Sequence, residues 1–432
     1  MKRLLLITYN WPPRAGVGLT RPWKWATFLP RYGWEVVVLT PEGAPSQIQC
    51  DPALGDLPGV EVLPVPFKTW RRQPAATPQP TVLAAPAPQR PRQPVPAWKR
   101  LATEILATPD DLWPWYGPAV AAARQRLAQG DIHAIVSTSP PETVHLIAHR
   151  LQRDFQVPWV ADMRDLWSLD HFRARPPWKL ALMRAWERRL LNRADGLTTV
   201  SADWIAAERQ LLQPGPAEQV VIPNGFDPEA VAKTEPTAYA PFTVLYSGKL
   251  HGRHQDPRPF LEAVAKLHAR HRLDARQFQA LFYLYGSEQP DLVQLAASLG
   301  ISDLIRVCPP VDPQTILAHQ CGAHVLLLVH WLGPNRQGWF SAKVYDYLGA
   351  GRPILCQGDP DEAVCRMLTE TGAGFSAPDA AGLAARLDAW FTTWQQTGSL
   401  PWSVPEAALA PYTRQHGTAQ LAGLLDRLTI RA

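Results

Sequence analysis

Twice along this chain a short, unbroken apolar run is followed by a polar loop, a helical stretch and a second apolar run. Leu4-Leu5-Leu6-Ile7 opens the first cycle, Trp25, Phe28 and Leu29 keep helical spacing within 22–32, and Gly33 stops that helix before Val36-Val37-Val38-Leu39. Apolar runs this short, with no polar alternation, suit strands buried on both faces of a parallel sheet whose crossovers are helices. Further strands are expected at 60–63, 134–137, 159–162 and 196–200. A second cycle begins at Thr243-Val244-Leu245-Tyr246 and continues through 280–285, 305–307, 323–329, 353–356 and 373–376. The pattern predicts an α/β protein of two Rossmann-like, doubly wound domains facing across a cleft, where open sheets bind ligands beyond the carboxyl ends of their strands.

The length of 432 residues supports that division, since either half can bury its own core. The expected domains are 1–226 and 242–405. A Pro-, Thr-, Ala- and Glu-rich hinge at 227–241 joins them, and a helical segment at 406–432 is expected to pack back on the N-terminal domain. Residues 74–98, dense in Pro, Ala and Gln, are unsuited to a sheet and are expected as a surface excursion.

Forty-three Lys and Arg against 38 Asp and Glu leave a formal charge of +5, spread along the chain, which argues against nucleic acid as a partner. The same excess, with 18 Trp, is compatible with peripheral contact at a membrane surface. The five Cys lack any C-x-x-C spacing and read as reduced structural thiols. The first apolar run is too short for a signal peptide and no stretch is long enough to span a bilayer, so a cytoplasmic protein is expected.

Four loops carry candidate chemistry. In the first, Tyr9-Asn10-Trp11-Pro12-Pro13-Arg14-Ala15-Gly16-Val17-Gly18, Gly16 and Gly18 allow backbone N–H groups to approach a phosphate or sugar at a helix start. Arg21 stands where a dinucleotide fingerprint would have its third glycine. In Ala161-Asp162-Met163-Arg164-Asp165-Leu166-Trp167, Arg164 suits a phosphate and Asp165 a sugar hydroxyl; a salt bridge that merely ties down the loop is the equal alternative. Ser247-Gly248-Lys249-Leu250-His251-Gly252-Arg253-His254 gathers cations suited to a diphosphate, or is a solvated basic loop. Lys343 lies in the first turn of a helix read over 341–351, a position unfavourable for a cation unless an anion sits nearby, and Asp346 follows one turn later; an exposed Lys and Asp forming a weak local pair is the alternative. His145 and His149 have the spacing of two metal ligands, but they lack a companion Glu and a third ligand, so a structural role is preferred and no metal is expected.

Several of these segments together resemble the retaining glycosyltransferases of the GT-B fold, the large glycosyltransferase family 4 type that includes bacterial polysaccharide-biosynthesis enzymes. The resemblance rests on P-P-R-A-G-V-G, W-V-A-D-M-R-D-L-W, T-T-V-S-A-D-W, V-I-P-N-G-F-D, Y-S-G-K-L and K-V-Y-D-Y-L-G-A-G-R-P-I-L, and covers nearly the whole chain. It implies that Lys249 and Arg253 hold the donor diphosphate, that Gly16 and Gly18 lie near donor phosphate and acceptor, and that Asp346 binds the nucleotide ribose. It also implies that Arg164 lies beside the transferred sugar; Gly248, Gly286 and Lys343 complete the expected donor site. The sequence departs from the family's two-glutamate motif, with Gly338 at the first position and Asp346 at the second.

The implied activity is transfer of a sugar from a nucleotide-diphosphate-sugar, such as a UDP-sugar, to a glycan or lipid-linked acceptor with retention. Arg164, Asp165 and Lys249 are the expected catalytic residues, and no metal or other cofactor is expected. Alternatives are a sugar-nucleotide epimerase or phosphorylase on the same architecture, and a non-catalytic nucleotide-sugar-binding partner of another transferase.

Overall fold

The computed structural model describes residues 1–14, 16–42, 57–68, 98, 104–170, 175–251, 254–284, 289–331 and 338–431. The chain forms two compact units, Met1–Pro223 with Arg414–Ala432, and Asn224–Thr413.

The first unit is built on seven strands: β1 (Lys2–Thr8), β2 (Trp34–Pro41), β3 (Glu61–Val65), β4 (Ala134–Ser139), β5 (Trp159–Met163), β6 (Gly196–Thr199) and β7 (Glu218–Val221). They lie in the order β3-β2-β1-β4-β5-β6-β7, and every pairing is parallel. Leu4 pairs with Val36 on one side and Ala134 on the other, which accounts for its unbroken apolar neighbours. The edge strand β7 was not expected, because Glu218-Gln219-Val220-Val221 is half polar and only half-buried.

The first helix runs Val17–Phe28, starting five residues before the expected Pro22, which it contains. Pro22 has no N–H for the carbonyl of Gly18 four residues back, and the Arg164 guanidinium donates to that carbonyl instead. A side chain 146 residues away in sequence thus makes an internal proline tolerable, a compensation invisible to local reading.

The closing helix, Arg414–Arg431, packs in this unit. Leu421, Leu424, Leu425 and Leu428 join a cluster with Leu4, Leu6, Val36 and Val160, and Lys2 Nζ meets the Asp426 carboxylate at 2.9 Å. The preceding short helix, Glu406–Leu409, lies in the second unit.

The second unit has six strands: β8 (Phe242–Gly248), β9 (Phe278–Leu284), β10 (Ile305–Cys308), β11 (Val325–Val329), β12 (Ile354–Gln357) and β13 (Gly374–Ala377). Their order is β10-β9-β8-β11-β12-β13, again parallel throughout. Residues 227–241 are packed in this unit: Asp227 caps the helix Pro228–Ala232, Thr237 N–H donates to the Ala318 carbonyl at 3.0 Å, and Tyr239 Oη meets His319 Nδ1 at 2.6 Å. Cys308, Cys321, Cys356 and Cys365 are free thiols, while Cys50 and most of 74–98 lie outside the described residues.

In each unit the strand order reverses beside the opening strand, between β1 and β4 and between β8 and β11. Loops leaving the carboxyl ends of such a pair diverge to opposite faces and leave a crevice, which makes these two points the candidate ligand positions.

Candidate functional site

In the first unit the reversal is lined by the loop after β1. Arg14 turns back into it and is buried, its Nη1 donating to the carbonyls of Tyr9 at 2.8 Å and Pro41 at 3.3 Å. Gly16, at φ +122°, is the N-cap of the helix Val17–Phe28 and is exposed. Gly18 is confined for another reason: a Cβ there would fall 2.7 Å from Asn10 Nδ2. Arg164 donates from Nε to the Ser139 carbonyl at 2.8 Å and from Nη2 to Pro140 at 3.3 Å, besides its bond to Gly18. Its guanidinium therefore ties together the loops after β1, β4 and β5. Burial lowers the pKa of Arg164, opposed by Asp162 and Asp165. Asp165 is exposed beside it.

Beneath these loops lies a buried ion pair that the sequence reading did not single out. Asp162 receives Arg21 Nη2 at 2.7 Å and Nε at 3.1 Å, and the hydroxyls of Thr138 and Thr198 at 2.6 Å each. Arg21 spends its remaining donors on the carbonyls of Ile222 and Pro223. Desolvation pushes the Asp162 carboxyl up, but Arg21 and the hydroxyl bonds outweigh it, and the net shift is downward. Arg21, in the missing glycine's position, thereby fixes the first helix to three strands. His145 is likewise structural: it is fully buried, its Nδ1 lies 2.8 Å from Ser137 Oγ, and desolvation lowers its pKa to about 3.

The second reversal brings together Gly248, Lys249 and Lys343 of the donor residues expected from sequence. Gly248 ends β8 at φ +119°, and an added Cβ would sit 3.1 Å from both Cε and Nζ of Lys343. Lys343 is the first residue of the helix Lys343–Ala350, whose N-cap Ala342 offers no side-chain acceptor. Its ammonium donates to Tyr246 Oη at 2.6 Å and stands 4.1 Å from the centre of that ring; Tyr246 Oη in turn donates to the Lys249 carbonyl at 2.8 Å. Burial depresses the Lys343 pKa to about 7, with Asp346 opposing. Tyr347, from the same helix, accepts from Ser247 N–H at 3.0 Å and locks the helix to the end of β8. Gly248, Lys249 and Lys343 thus meet at one strand end, with the Lys249 side chain exposed and Asp346 exposed one turn along the helix. Arg253 and Gly286 lie outside the described residues.

An aromatic wall flanks this point. Trp331, just after β11, stacks on His254 at 4.7 Å and approaches His251 at 5.5 Å and Trp339 at 5.7 Å. Gly338, at φ +72°, leads directly into Trp339. Where the glycosyltransferase motif would offer a carboxylate, this chain therefore has a glycine beside an indole. Sequence reasoning missed Tyr246 because it sits in an apolar strand; its only signal was a hydroxyl at the end of that run. The tryptophans gave no periodic signal at all.

A lysine ammonium and a helix N-terminus at the end of a central parallel strand are groups that can receive an anion such as a phosphate. Residues 20–225 match the glycosyl transferase 4-like domain family. By sequence, no curated protein matches the chain. Among solved structures, it is similar to sucrose-phosphate synthase from Thermosynechococcus elongatus, with 16% identity, full coverage of both chains and a TM-score of 0.64. It is also similar to Anabaena HepE in complex with UDP, at 14% identity, 99% and 100% coverage and a TM-score of 0.62. A putative UDP-N-acetylglucosamine 2-epimerase from Listeria monocytogenes aligns at 11% identity, 100% and 98% coverage and a TM-score of 0.53. The match covers somewhat under half of the chain, and the likeness to these solved structures is one of fold, the GT-B arrangement of two parallel α/β units. Among the described residues, no helix is long and apolar enough to cross a membrane.

Proposed function

We propose that the protein is a glycosyltransferase that takes a nucleotide-diphosphate-sugar as donor and transfers the sugar to a glycan or lipid-linked hydroxyl with retention, without a metal. The observation that carries this reading is the Lys343 ammonium against Gly248 at the end of β8, held by Tyr246 and beside the first turn of its own helix. A cation whose pKa burial has lowered to about 7 regains its charge most readily when an anion arrives.

In the proposed reaction the bond between the anomeric carbon and the diphosphate oxygen breaks, and negative charge collects on the leaving nucleoside diphosphate. Lys343, the exposed Lys249 and the helix N-terminus stabilise that charge, the work a divalent ion performs in other transferases. The acceptor oxygen bonds to the anomeric carbon on the same face, and its proton passes to the departing diphosphate oxygen. Arg164 acts as a positioning residue that braces the glycine loop, Asp165 orients acceptor or sugar, and Asp346 serves the ribose. The UDP complex of Anabaena HepE makes UDP-sugars the first donors to try.

The test combines thermal-shift screening against UDP-, GDP- and dTDP-sugars with transfer assays in chelator, because a donor bound to the folded state raises Tm. Lys249→Ala should lower turnover strongly while leaving Tm nearly unchanged, since an exposed lysine supports no core. Transfer at the original rate by that variant would remove Lys249 from the leaving-group role. Isomerised sugar formed from donor alone would instead favour the epimerase reading.

A further inference from the structure

Resting on the donor reading above, we infer that the sugar carried by the donor is a 6-deoxyhexose, whose C–H face and methyl group lie on the indoles of Trp331 and Trp339. The two tryptophans stand at the exit of β11, the strand beside β8. Parallel pairing aligns Val325 with Val244 and Leu326 with Leu245. Carried forward, that register sets Val329 level with Gly248, where the Lys343 ammonium rests. Gln255, from the loop after β8, donates to the Val329 carbonyl at 3.0 Å, and His254 stacks on Trp331. The chain that follows Lys249 is thereby tied across the end of β11. Trp339 lies on the segment that enters the helix Lys343–Ala350.

A diphosphate at the start of that helix has two ester ends. With Asp346 serving the ribose one turn along the helix, the sugar leaves from the other end, towards the residues that lead into the helix and those that follow β11. The packing of the two tryptophans there is not that of core residues. Trp34, Trp115, Trp159 and Trp167 are fully buried, whereas Trp331 and Trp339 are half-buried beside the exposed His251 and His254. Phe340 packs against the hydrophobic core of the unit, while its neighbour Trp339 packs on Trp331 at 5.7 Å and on His330 at 5.5 Å.

A sugar site built of carboxylates and amides pairs with hydroxyls, and it rejects a deoxy sugar because its own polar groups are left unpaired. An indole has one N–H and otherwise a hydrocarbon face, so it makes no such demand. It favours C–H and methyl surface, which it removes from water. The planes of Trp331 and Trp339 meet at 63°, and the pair therefore presents two apolar faces at an angle. A pyranose ring laid on one of them turns its C6 substituent towards the other. A methyl group gains there by burial, whereas a hydroxymethyl group loses water without finding an acceptor on the indole. Glu362, a carboxylate that reaches this cluster, is directed at the buried His330, with Oε2 4.0 Å from Nε2.

The experiment is titration calorimetry on the full chain, first with free UDP, dTDP and GDP, then with the tightest of them as a matched hexose and 6-deoxyhexose conjugate. The matched pairs are UDP-glucose and UDP-6-deoxyglucose, dTDP-glucose and dTDP-6-deoxyglucose, or GDP-mannose and GDP-6-deoxymannose. The deoxy conjugate should bind about tenfold tighter, the usual scale of discrimination by an apolar pocket. Trp339→Ala should bring the two conjugates within about twofold of each other and leave the affinity for the free nucleoside diphosphate unchanged. Trp339→Phe keeps an aromatic face and should keep most of the preference, which separates stacking from any loss of folding in the alanine variant. Lys343→Ala should weaken all three ligands alike. Equal or tighter binding of the hexose by the native chain overturns the inference, as does a deoxy preference that survives Trp339→Ala and Trp331→Ala. Tighter binding of the matched uronic acid conjugate than of either also overturns it, and assigns His251 and His254 to a sugar carboxylate. Failure of every free nucleoside diphosphate to bind removes the donor reading itself, and this inference with it.

Discussion

The two strand-order reversals have the same topology and handle charge in opposite ways. At the first, Arg21, Arg164 and Asp162 are buried or nearly so, yet each is satisfied by named carbonyls, hydroxyls or the opposite charge. At the second, the Lys343 ammonium rests on a phenol, and burial, only partly opposed by Asp346, has lowered its pKa to about 7. A fully compensated charge is architecture. An under-compensated one at the end of a central strand is a place for a ligand to supply the difference.

The largest effect should come from breaking the compensation in the first unit. Asp162→Asn or Arg21→Ala leaves the other partner buried and unpaired, which costs about 3–5 kcal/mol and should appear as a large fall in Tm by calorimetry. Paired replacement, Arg21→Met with Asp162→Leu, should recover part of that loss. If single and double variants melt alike, the ion pair is not what holds the first helix to the sheet.

In the second unit the corresponding change should affect function instead. Lys343→Ala should reduce kcat/KM for the donor by about 100- to 1000-fold, the usual effect of losing one group that stabilises a leaving anion. Its Tm should stay level or rise, because a half-desolvated charge has been removed. A matching loss of stability and activity would erase the contrast between the two reversals.

That contrast was only partly legible in the sequence. Leu4 to Ile7 and Val36 to Leu39 reveal parallel strands because burial on both faces leaves no room for polar residues, and the same logic places β8 and β11. Lys343 stands out because a cation at a helix start contradicts the helix dipole. What cannot be read is pairing across long sequence separations: Arg164 relieving Pro22, Arg21 reaching Asp162, and Tyr246 holding Lys343. Each depends on which strands become neighbours, and local spacing carries no record of it. The aromatic wall escaped for the same reason, since Trp331 and Trp339 follow β11 while His251 and His254 follow β8.

A third way of handling charge sharpens the comparison. Glu187 and Glu208 are fully buried in the first unit, and Glu187 accepts from Ser168 N–H at 3.0 Å. Burial raises Glu187 to about 7, and burial together with Glu187 raises Glu208 well above the ordinary carboxylate range. The folded protein therefore keeps protons that the unfolded chain, near 4.5, has released, so stability should fall as pH rises from about 4.5 towards 7 and beyond. Glu208→Gln should raise stability above pH 7 and change little at the acid end. Parallel Tm profiles for the variant and the native chain would show that the pair does not titrate as described.

Lys343 should give a smaller pH effect of its own. Its ammonium is present below about 7 and lost above it, so affinity for a UDP-sugar, whose diphosphate does not titrate in that range, should weaken as pH rises. The limit is about tenfold per unit. Lys343→Arg keeps its charge at every accessible pH and should flatten the profile, measured by titration calorimetry.

The finest test uses two glycines. Gly33, in the first unit at φ +82°, has open space where a Cβ would go; Gly248, at φ +119°, has Lys343 there at 3.1 Å. Both Gly33→Ala and Gly248→Ala force an L side chain into a conformation it resists, at about 1–3 kcal/mol each, so similar falls in Tm are expected. Only Gly248→Ala should also weaken donor binding, because its methyl group must move the ammonium away from the end of β8. Equal donor affinity in the two variants would mean that the position of Lys343 against Gly248 has no part in holding the diphosphate.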